Sequence, residues 1–336
     1  MNIVVSIIIV SWNGRHLLES CLDSVFNQKF HDFEVILVDN GSSDGTSEYI
    51  RSNFSDVRLV ALSENRGFTG GNNKGLQHAK GSFVVLLNND ATLNEDWLDI
   101  MVSSMKSDAG LGSCASKIII EGTDVLDSVG DIFTTAFTGS KVGEFQKESN
   151  FMETLIVAGP CAAAAMYRRS MIEQIGFFDD DFFLNHEDTD LNMRAWLAGW
   201  RCRYVPSAIA YHKVSTSIGK LSDTSVYYFS RNSLWVWGKN VPLLLMIRFL
   251  PQRLLYEINS FINFCLIHGK WFPFLRGKYD AVRGISAILR KRREVKKLRK
   301  LTNDQIVREL LPVTRYLVQR LRTVLTLVAG SAKTAE

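Results

Sequence analysis

An unbroken apolar run at residues 83–87, with the sequence FVVLL, constrains the fold of this chain more than any other segment. Five apolar residues without polar alternation predict a strand buried on both faces, as in the parallel sheet of an α/β domain. Asn88, Asn89 and Asp90 follow directly, where such sheets bind their ligands, and their oxygens suit a hard divalent cation. A simple turn or helix cap is the alternative interpretation of Asp90.

Strand and helix signals alternate around this run. Strand-like segments lie at residues 4–10, 33–38 and 57–62, and helical spacing occupies the stretches between them. This order predicts a doubly wound, Rossmann-like sheet, mostly parallel and twisted, with helices on both faces and right-handed crossovers. Further along we predict a strand of small residues, a helix and a last strand, at residues 162–167, 191–200 and 203–211.

The charges divide the chain into two regions. Residues 1–212 contain 16 basic and 28 acidic residues, a net charge of −12, whereas the remaining 124 residues contain 23 basic and 7 acidic, a net charge of +16. We therefore predict two domains, a catalytic one at residues 1–215 and a helical, basic one at residues 216–336.

Composition also suggests a compartment. The five cysteines are scattered and include no C-x-x-C pair, which argues against a disulfide framework or structural zinc and for a reducing environment. No stretch reaches about 18 uncharged apolar residues, so we expect no membrane-spanning helix. The chain begins with a predicted strand and not with a signal peptide, so we expect a cytoplasmic protein.

Polar side chains follow the first two predicted strands. Ser11 and Asn13 come after the first, and Asp39 and Ser42 come after the second. Neighbouring parallel strands end at the same edge, so these groups could hydrogen-bond a uracil or thymine ring and a ribose, with Asp39 accepting from the pyrimidine N3–H. The alternative is an ordinary turn followed by a helix cap.

A glycine-rich stretch at residues 67–73 precedes a predicted helix. Its backbone N–H groups could face a phosphate, with Asn65, Gly70 and Asn72 nearby. The pattern matches neither the dinucleotide G-x-G-x-x-G motif nor a P-loop. A tight connection between strand and helix is the alternative.

The acidic cluster Glu187, Asp188 and Asp190 lies at the start of a predicted helix, with Arg194 one turn on. Crowded carboxylates repel one another, and a bound cation or basic substrate would relieve the repulsion. A carboxylate held by Arg194 could serve as a general base. A solvated acidic helix start is the alternative, and we interpret residues 179–181, three aspartates just upstream, as a solvated loop.

His212 ends the last predicted strand, downstream of the acidic cluster. A lone histidine is usually a packed or surface residue, but this position makes it a candidate contact for a metal ion or a pyrophosphate.

Taken in order, these motifs resemble the inverting family-2 glycosyltransferases of GT-A fold, and most of all their bacterial rhamnosyltransferase-like branch. The resemblance covers residues 3–240, and no single motif is specific without the others. The motifs are, in chain order, Val10-Ser11-Trp12-Asn13, Val38-Asp39-Asn40-Gly41-Ser42, Asn65-Arg66-Gly67-Phe68, Gly70-Gly71-Asn72-Asn73, Leu87-Asn88-Asn89-Asp90, Glu187-Asp188-Thr189-Asp190-Leu191, Tyr211-His212 and Arg231-Asn232.

The resemblance implies roles for individual residues. Asp188 would be the catalytic base, with Glu187 and Asp190 beside it, and Asp90 and His212 would hold Mg²⁺ or Mn²⁺. Asn88 stands where the commonest Asp-x-Asp motif has a carboxylate, and a neutral ligand weakens the charge complement. The residues expected to bind the nucleotide-sugar donor are Ser11, Asn13, Asp39, Ser42, Asn65, Gly70, Asn72, Asn89, Asp90 and Arg194.

The resemblance also implies an activity. We expect transfer of a sugar, rhamnose from a dTDP- or UDP-linked donor, to a lipid-linked or polysaccharide acceptor in bacterial cell-surface glycan synthesis. The alternatives are the same reaction with another hexose donor, a metal-dependent phosphohydrolase using Asp90, Glu187, Asp188 and His212, and a silent membrane scaffold. Phosphate release without an acceptor would indicate the phosphohydrolase.

The C-terminal region has a different pattern. Residues 254–265 and 306–328 show amphipathic helical spacing, and residues 290–300 contain eight basic residues and one acidic residue. This pattern predicts a peripheral anchor on the anionic inner face of the cell membrane. Helices packed on the catalytic domain, or a homo-oligomer interface, are the alternatives. No nucleic-acid-binding module accompanies the basic run, so we expect no nucleic-acid partner.

Overall fold

The computed structural model describes residues 3–213 and 221–318, and most of its described strands form one ten-stranded sheet. The described strands are β1 (Val5–Ser11), β2 (Phe33–Asp39), β3 (Val57–Ala61), β4 (Phe83–Asn88), β5 (Ala91–Leu93), β6 (Leu111–Ile120), β7 (Leu126–Ser128), β8 (Asp131–Phe133), β9 (Gly139–Lys141), β10 (Leu155–Val157), β11 (Ala164–Arg168) and β12 (Arg201–His212). The described helices are α1 (Arg15–Phe26), α2 (Thr46–Asn53), α3 (Gly67–His78), α4 (Trp97–Lys106), α5 (Arg169–Ile175), α6 (Glu187–Leu197), α7 (Asp223–Asn240), α8 (Leu243–Arg248), α9 (Leu250–Phe261), α10 (Trp271–Arg283), α11 (Ile285–Leu298) and α12 (Asn303–Glu309), with a π-helical turn at Ile262–Ile267 after α9.

The sheet has the order β10-β12-β6-β11-β4-β1-β2-β3, with β5 paired to β12 and β7 paired to β6. The pairs β1–β2, β1–β4, β2–β3 and β6–β12 are parallel, whereas β11 runs antiparallel to both of its neighbours. The prediction of a mostly parallel α/β sheet is therefore confirmed, and the FVVLL run forms the inner strand β4. The separate pair β8–β9 forms a small two-stranded sheet.

Both faces of the sheet are covered, which explains the unbroken apolar strands. Ile7 and Ile9 pack into a core with α1 and α4, while Ile8 between them faces a second core with α5 and α6. All three isoleucines are fully buried. A strand with one solvent-exposed face would alternate polar and apolar residues. The FVVLL strand and its neighbouring strands therefore require helices on both faces of the sheet.

The glycine-rich stretch differs from its prediction. Helix α3 begins at Gly67, so Gly70, Gly71 and Gly75 lie inside it and not in a loop before it. A Cβ atom on Gly71 would lie 2.6 Å from Val10, and one on Gly75 would lie 2.4 Å from Ile8. The glycines thus permit α3 to pack closely on the sheet. A local sequence pattern does not distinguish glycines with this packing role from the glycines of a phosphate-binding loop.

The C-terminal helices share a core with the sheet region. Trp237 of α7 and Ile306 of α12 pack in one cluster with Phe133 of β8 and Trp196 of α6. The proposed domain boundary at residues 215 and 216 lies outside the described residues, as does the part of the 306–328 pattern beyond residue 318. Along the described residues, no helix combines the length and apolar character needed to cross a bilayer.

We predict that Gly75→Val destabilises the protein by overpacking the contact of α3 with β1. The added side chain would meet Ile8 and Val38, and such insertions typically cost about 1–3 kcal/mol of unfolding free energy. Urea unfolding followed by circular dichroism measures the change. Gln77→Val, at an exposed site of the same helix, is the control and is expected to be nearly neutral. Equal stability of the two variants would contradict the packing role.

Candidate active site

A cavity of about 320 Å³ lies at the carboxyl edge of the sheet, where β1, β4 and β12 end. Trp12, Phe68 and Phe183 supply aromatic walls, which sequence reasoning did not single out as ligand contacts. Such rings, together with a few polar groups, are typical of small-molecule sites. Six of the predicted site residues line the cavity, namely Asn65, Asn89, Asp90, Glu187, Asp188 and His212.

Asp90 and His212 meet because β5 pairs antiparallel with β12. This pairing sets Ala91 opposite His212, and the Lys213 backbone N–H donates to the Asp90 carbonyl at 3.0 Å. The His212 Nε2 atom lies 3.2 Å from Asp90 Oδ1 and 3.4 Å from Asn88 Nδ2. Burial disfavours a charged imidazole, but hydrogen bonds to Asp127 and Asp90 outweigh it and raise the pKa of His212 to about 9.

The donor set at this edge is small. Among residues 3–213 and 221–318, no group of three or more His, Cys, Asp or Glu side chains is arranged to hold a metal ion. Asp90 and His212 offer one carboxylate and one imidazole, with the Asn88 amide adjacent. Two protein ligands fit Mg²⁺ or Mn²⁺ when phosphate oxygens and water complete the shell, as is usual for nucleotide-bound Mg²⁺. The residues present therefore fit a cation that binds together with a diphosphate.

Glu187 and Asp188 reach the cavity from the first turn of α6. Burial raises the pKa of both carboxyls, the Asp188 charge raises that of Glu187 further, and the Thr189 N–H works against the shift at Asp188. Asp188 Oδ1 accepts from that N–H at 2.6 Å. The Glu187 Oε2 atom is buried and has no hydrogen-bond partner in the described part of the chain. Burial raises the pKa of Glu187 to about 8, so Asp188 is the better proton acceptor of the two in this low-dielectric wall, as a general base requires.

The turn before α6 has a strained backbone. Phe183, Asn185 and His186 have φ values of 65°, 63° and 68°, in the left-handed region that non-glycine residues seldom occupy. The buried Asn232 of α7 holds this turn, since its Nδ2 donates to the carbonyls of Phe182, Leu184 and Asn185 at 2.8–2.9 Å. The sequence analysis named Asn232 only as part of the Arg231-Asn232 motif. Its side chain holds the turn directly before the acidic cluster and so positions that cluster.

Asp190 and Arg194 lie outside the cavity, and we correct their expected roles. Asp190 is fully buried, and its oxygens accept from Arg194 Nε at 2.9 Å, Lys239 Nζ at 2.9 Å and Asn240 Nδ2 at 2.8 Å. The Arg194 guanidinium also donates to three backbone carbonyls, those of Ile175, Gly176 and Phe177. Neither side chain is free to reach a substrate. Their geometry indicates a structural ion network that joins α6 to α7.

Of the three upstream aspartates, Asp179 and Asp181 contact the same network, whereas Asp180 does not, and Asp180 and Asp181 are exposed as predicted. Asp179 pairs with Lys239 at 2.7 Å, and Lys291 of α11 bonds both Asp179 and Asp181. Burial opposes ionisation of Asp179, but the Lys239 charge lowers its pKa.

The predicted nucleotide residues at the ends of β1 and β2 form a linked pair of loops. Ser42 Oγ accepts from the Asn13 N–H at 2.9 Å, and Asp39 accepts from the Ser42 N–H at 3.0 Å and from the Ser47 hydroxyl. Ser11 Oγ accepts from Asn89 Nδ2 at 3.2 Å. These four predicted residues do not line the cavity themselves. Their neighbours Trp12 and Asn40 do.

Asn40 was not predicted as a site residue, yet it organises this side of the cavity. Its Nδ2 donates to Asn65 Oδ1 and to the Gly67 carbonyl, both at 3.0 Å, and its Oδ1 accepts from the Arg66 N–H. Gly70 and Asn72, by contrast, are buried within α3, and the Asn72 side chain donates to the Phe68 carbonyl. Neither residue lines the cavity, and their expected role in donor binding stays a prediction.

We predict that Asp190→Asn lowers stability but leaves nucleotide binding intact while the protein is folded. Removing the charge leaves Arg194 buried without a carboxylate and Lys239 with Asp179 alone, and breaking such a buried pair costs about 3–5 kcal/mol. Urea unfolding and calorimetric titration with UDP measure the two effects. Asp181→Asn, at a half-exposed ion pair, is the control and should cost no more than about 1 kcal/mol. Wild-type stability combined with lost sugar transfer would return Asp190 to the catalytic residues.

Comparison with known proteins agrees with this geometry. The sequence model of the family "Glycosyl transferase family 2" matches residues 6–176. Poly-beta-1,6-N-acetyl-D-glucosamine synthase of Staphylococcus aureus (strain COL) is 25% identical over 221 residues, which cover 65% of this chain and 52% of that protein. The chain thus spans about half the length of this curated relative.

Two solved structures share the fold. Residues 1–349 of S. aureus TarS in complex with UDP-GlcNAc superpose with a TM-score of 0.55 at 16% identity, covering 88% of each chain. GalNAc-T7 with UDP, GalNAc and Mn²⁺ gives a TM-score of 0.55 at 17% identity, covering 68% of this chain and 47% of that one. At these identities the likeness establishes the fold alone.

Proposed function

Because the chain belongs to glycosyl transferase family 2, we propose that it is an inverting glycosyltransferase that uses a nucleotide diphosphate-sugar donor. The observation that supports this most is the meeting of Asp90 and His212 with Glu187 and Asp188 in one cavity at the carboxyl edge of the sheet. The first pair suits a diphosphate with its cation, and the second pair suits removal of a proton from an acceptor hydroxyl.

In this proposal Asp188 is the general base. It would take the proton as the acceptor oxygen attacks the anomeric carbon from the face opposite the diphosphate, so a single displacement inverts that carbon. Burial raises the pKa of Asp188, which strengthens it as a base. Asp90 and His212 would hold Mg²⁺ or Mn²⁺, which when bound offsets the charge that builds on the leaving diphosphate.

We propose rhamnose from a dTDP- or UDP-linked donor as the transferred sugar, on the strength of the ordered motifs that resemble the rhamnosyltransferase-like branch. A second candidate is N-acetylglucosamine from UDP-GlcNAc. It is favoured by the staphylococcal synthase, named for poly-N-acetylglucosamine, and by the TarS complex with UDP-GlcNAc. For either donor we propose a lipid-linked or polysaccharide acceptor in cell-surface glycan synthesis.

We also propose that the C-terminal helices attach the protein to the inner, anionic face of the cell membrane. Large apolar side chains are exposed along α8–α11, and Phe272, Leu244, Ile247 and Leu243 are each 65–74% exposed. Burial of such side chains in a bilayer is favourable, and nearby cations attract anionic lipid. Exposed cations on α10 and α11 include Arg283, Arg290, Arg293 and Lys296.

We predict that Asp188→Asn abolishes sugar transfer and leaves donor binding nearly unchanged. Loss of a general base typically costs about 10²–10⁴-fold in rate. Donor turnover with dTDP-rhamnose and with UDP-GlcNAc measures the first effect, and calorimetry with the same donors measures the second. Asp180→Asn, in the turn before the cluster, is the control. Near wild-type transfer by Asp188→Asn would assign the base to Glu187, and phosphate release without an acceptor would indicate a phosphohydrolase.

We predict that the full chain sediments with anionic vesicles at low salt and is released only partly at high salt. Arg290→Gln combined with Arg293→Gln should weaken binding by roughly 30-fold, since each surface cation contributes about 1 kcal/mol near an anionic leaflet. Leu244→Ser combined with Ile247→Ser should remove the salt-resistant part, because these apolar side chains would enter the bilayer.

Ile156→Ser is the matched control for this experiment, because Ile156 is 59% exposed but lies on β10, away from α8–α11. Turnover on a soluble acceptor analogue should be the same in all these variants. If the wild-type chain ignores anionic vesicles at low salt, the exposed face is a packing or homo-oligomer surface.

A further inference from the structure

Asp127, which is not among the predicted site residues, makes the second contact of the His212 ring. Asp127 Oδ2 lies 3.0 Å from His212 Nδ1, and Asp127 Oδ1 accepts from Lys141 Nζ at 2.6 Å. The side chains of Asp127 and His212 are 3% and 10% exposed. The order of contacts from β9 to the cavity is thus Lys141, Asp127, His212 and Asp90.

The backbone of β7 presents Asp127 to His212. Strand β6 lies between β7 and β12, with Ile120 paired to His212. On the other side of β6, Ile118 pairs with Ser128 and Ile119 with Leu126, which leaves Asp127 as the extra residue of a β-bulge. Bulges re-aim single side chains near active sites. Here the bulge lets the Asp127 carboxylate meet the ring at the end of β12.

We propose that Asp127 is a positioning residue that fixes the His212 ring with its Nε2 atom toward Asp90, where the proposed cation and diphosphate bind. An ionised carboxylate only accepts hydrogen bonds, so Asp127 keeps a proton on Nδ1 when a cation replaces the proton on Nε2. The ring protonated on Nδ1 leaves Nε2 as the metal-ligating atom. The inference rests on the proposed function only where it names the cation and the diphosphate.

Lys141 has a supporting role in this arrangement. Its ammonium lies 2.6 Å from Asp127 Oδ1 and holds that second oxygen, so the carboxylate does not rotate away from the ring. In a purely structural alternative, the Lys141–Asp127 ion pair would only join β7 to β9. The two alternatives differ in what happens to His212 when the Asp127 charge is removed.

The experiment compares Asp127→Asn with the wild-type full chain by two measurements. Calorimetric titration of Mn²⁺ in the presence of saturating UDP, and separately of dTDP, should show about 10–100-fold weaker Mn²⁺ binding in the variant. Nitrogen-15 NMR of the metal-free protein at a pH above the His212 pKa of about 9, where the ring is neutral, should show it protonated on Nδ1 in wild type and redistributed toward Nε2 in the variant. His212→Gln assigns the signal.

Asp124→Asn is the matched control, since Asp124 lies on the same connection and pairs with Lys147 at 3.0 Å without contacting His212. It should leave both measurements unchanged. Should Asp127→Asn fail to fold, Lys141→Gln replaces it and is expected to give a smaller loss of Mn²⁺ affinity in the same direction.

Unchanged Mn²⁺ affinity together with an unchanged tautomer would overturn the positioning role and leave Asp127 as a structural ion pair. A wild-type chain that binds nucleotide without any effect of Mn²⁺ would overturn the proposed cation site, and the NMR measurement would then decide the role of Asp127 by itself. The two failures are therefore distinguishable.

Discussion

The buried contact between the Asn232 side chain and the turn at residues 182–185 sustains the geometry of the whole site. One amide group donates to three carbonyls, and these bonds compensate a backbone with three left-handed non-glycine residues. Such conformations cost about 1–3 kcal/mol each and persist only where the surroundings enforce them. Without this clamp the first turn of α6 would not direct Glu187 and Asp188 to the cavity. A helix from the basic region therefore holds the turn that leads into the proposed catalytic cluster.

The same dependence explains the charge division of the sequence. Lys239 and Lys291 come from the basic region but point inward, where they neutralise Asp179 and Asp190. Part of the net charge of +16 after His212 is thus an internal counter-charge for the acidic region, and other cations of the basic region are exposed on α10 and α11. The two proposed domains differ in composition because lysines of the second neutralise buried aspartates of the first. The two domains also share one hydrophobic cluster.

The local sequence pattern predicted the structural features that depend on neighbouring residues. It missed the contacts between residues that lie far apart in the chain. Strands β1, β2 and β4 could be predicted because their burial on two faces is recorded in consecutive residues. Asp190 was assigned to catalysis because its partners Lys239 and Asn240 lie about 50 residues away and leave no mark near the cluster. Asp127 was missed for the same reason, since 85 residues separate it from His212. Asn40 belonged to a recognised motif, but its contacts with residues 65–67, where α3 begins, are visible only in the structure.

The connection between β6 and β10 links the two chemical halves of the site. Its Lys141 contacts Asp127, which holds His212, while its Asp131 is buried near Asp188. Burial and the Asp188 charge raise the pKa of Asp131, and the Lys141 charge lowers it. The same cation also lowers the pKa of Asp188, against the larger effect of burial. One ammonium group therefore pairs with Asp127, which contacts His212, and limits how far Asp188, the proposed base, shifts toward its protonated form. Because a base is most effective when its pKa is close to the working pH, a single change at Lys141 would alter proton transfer and donor binding together.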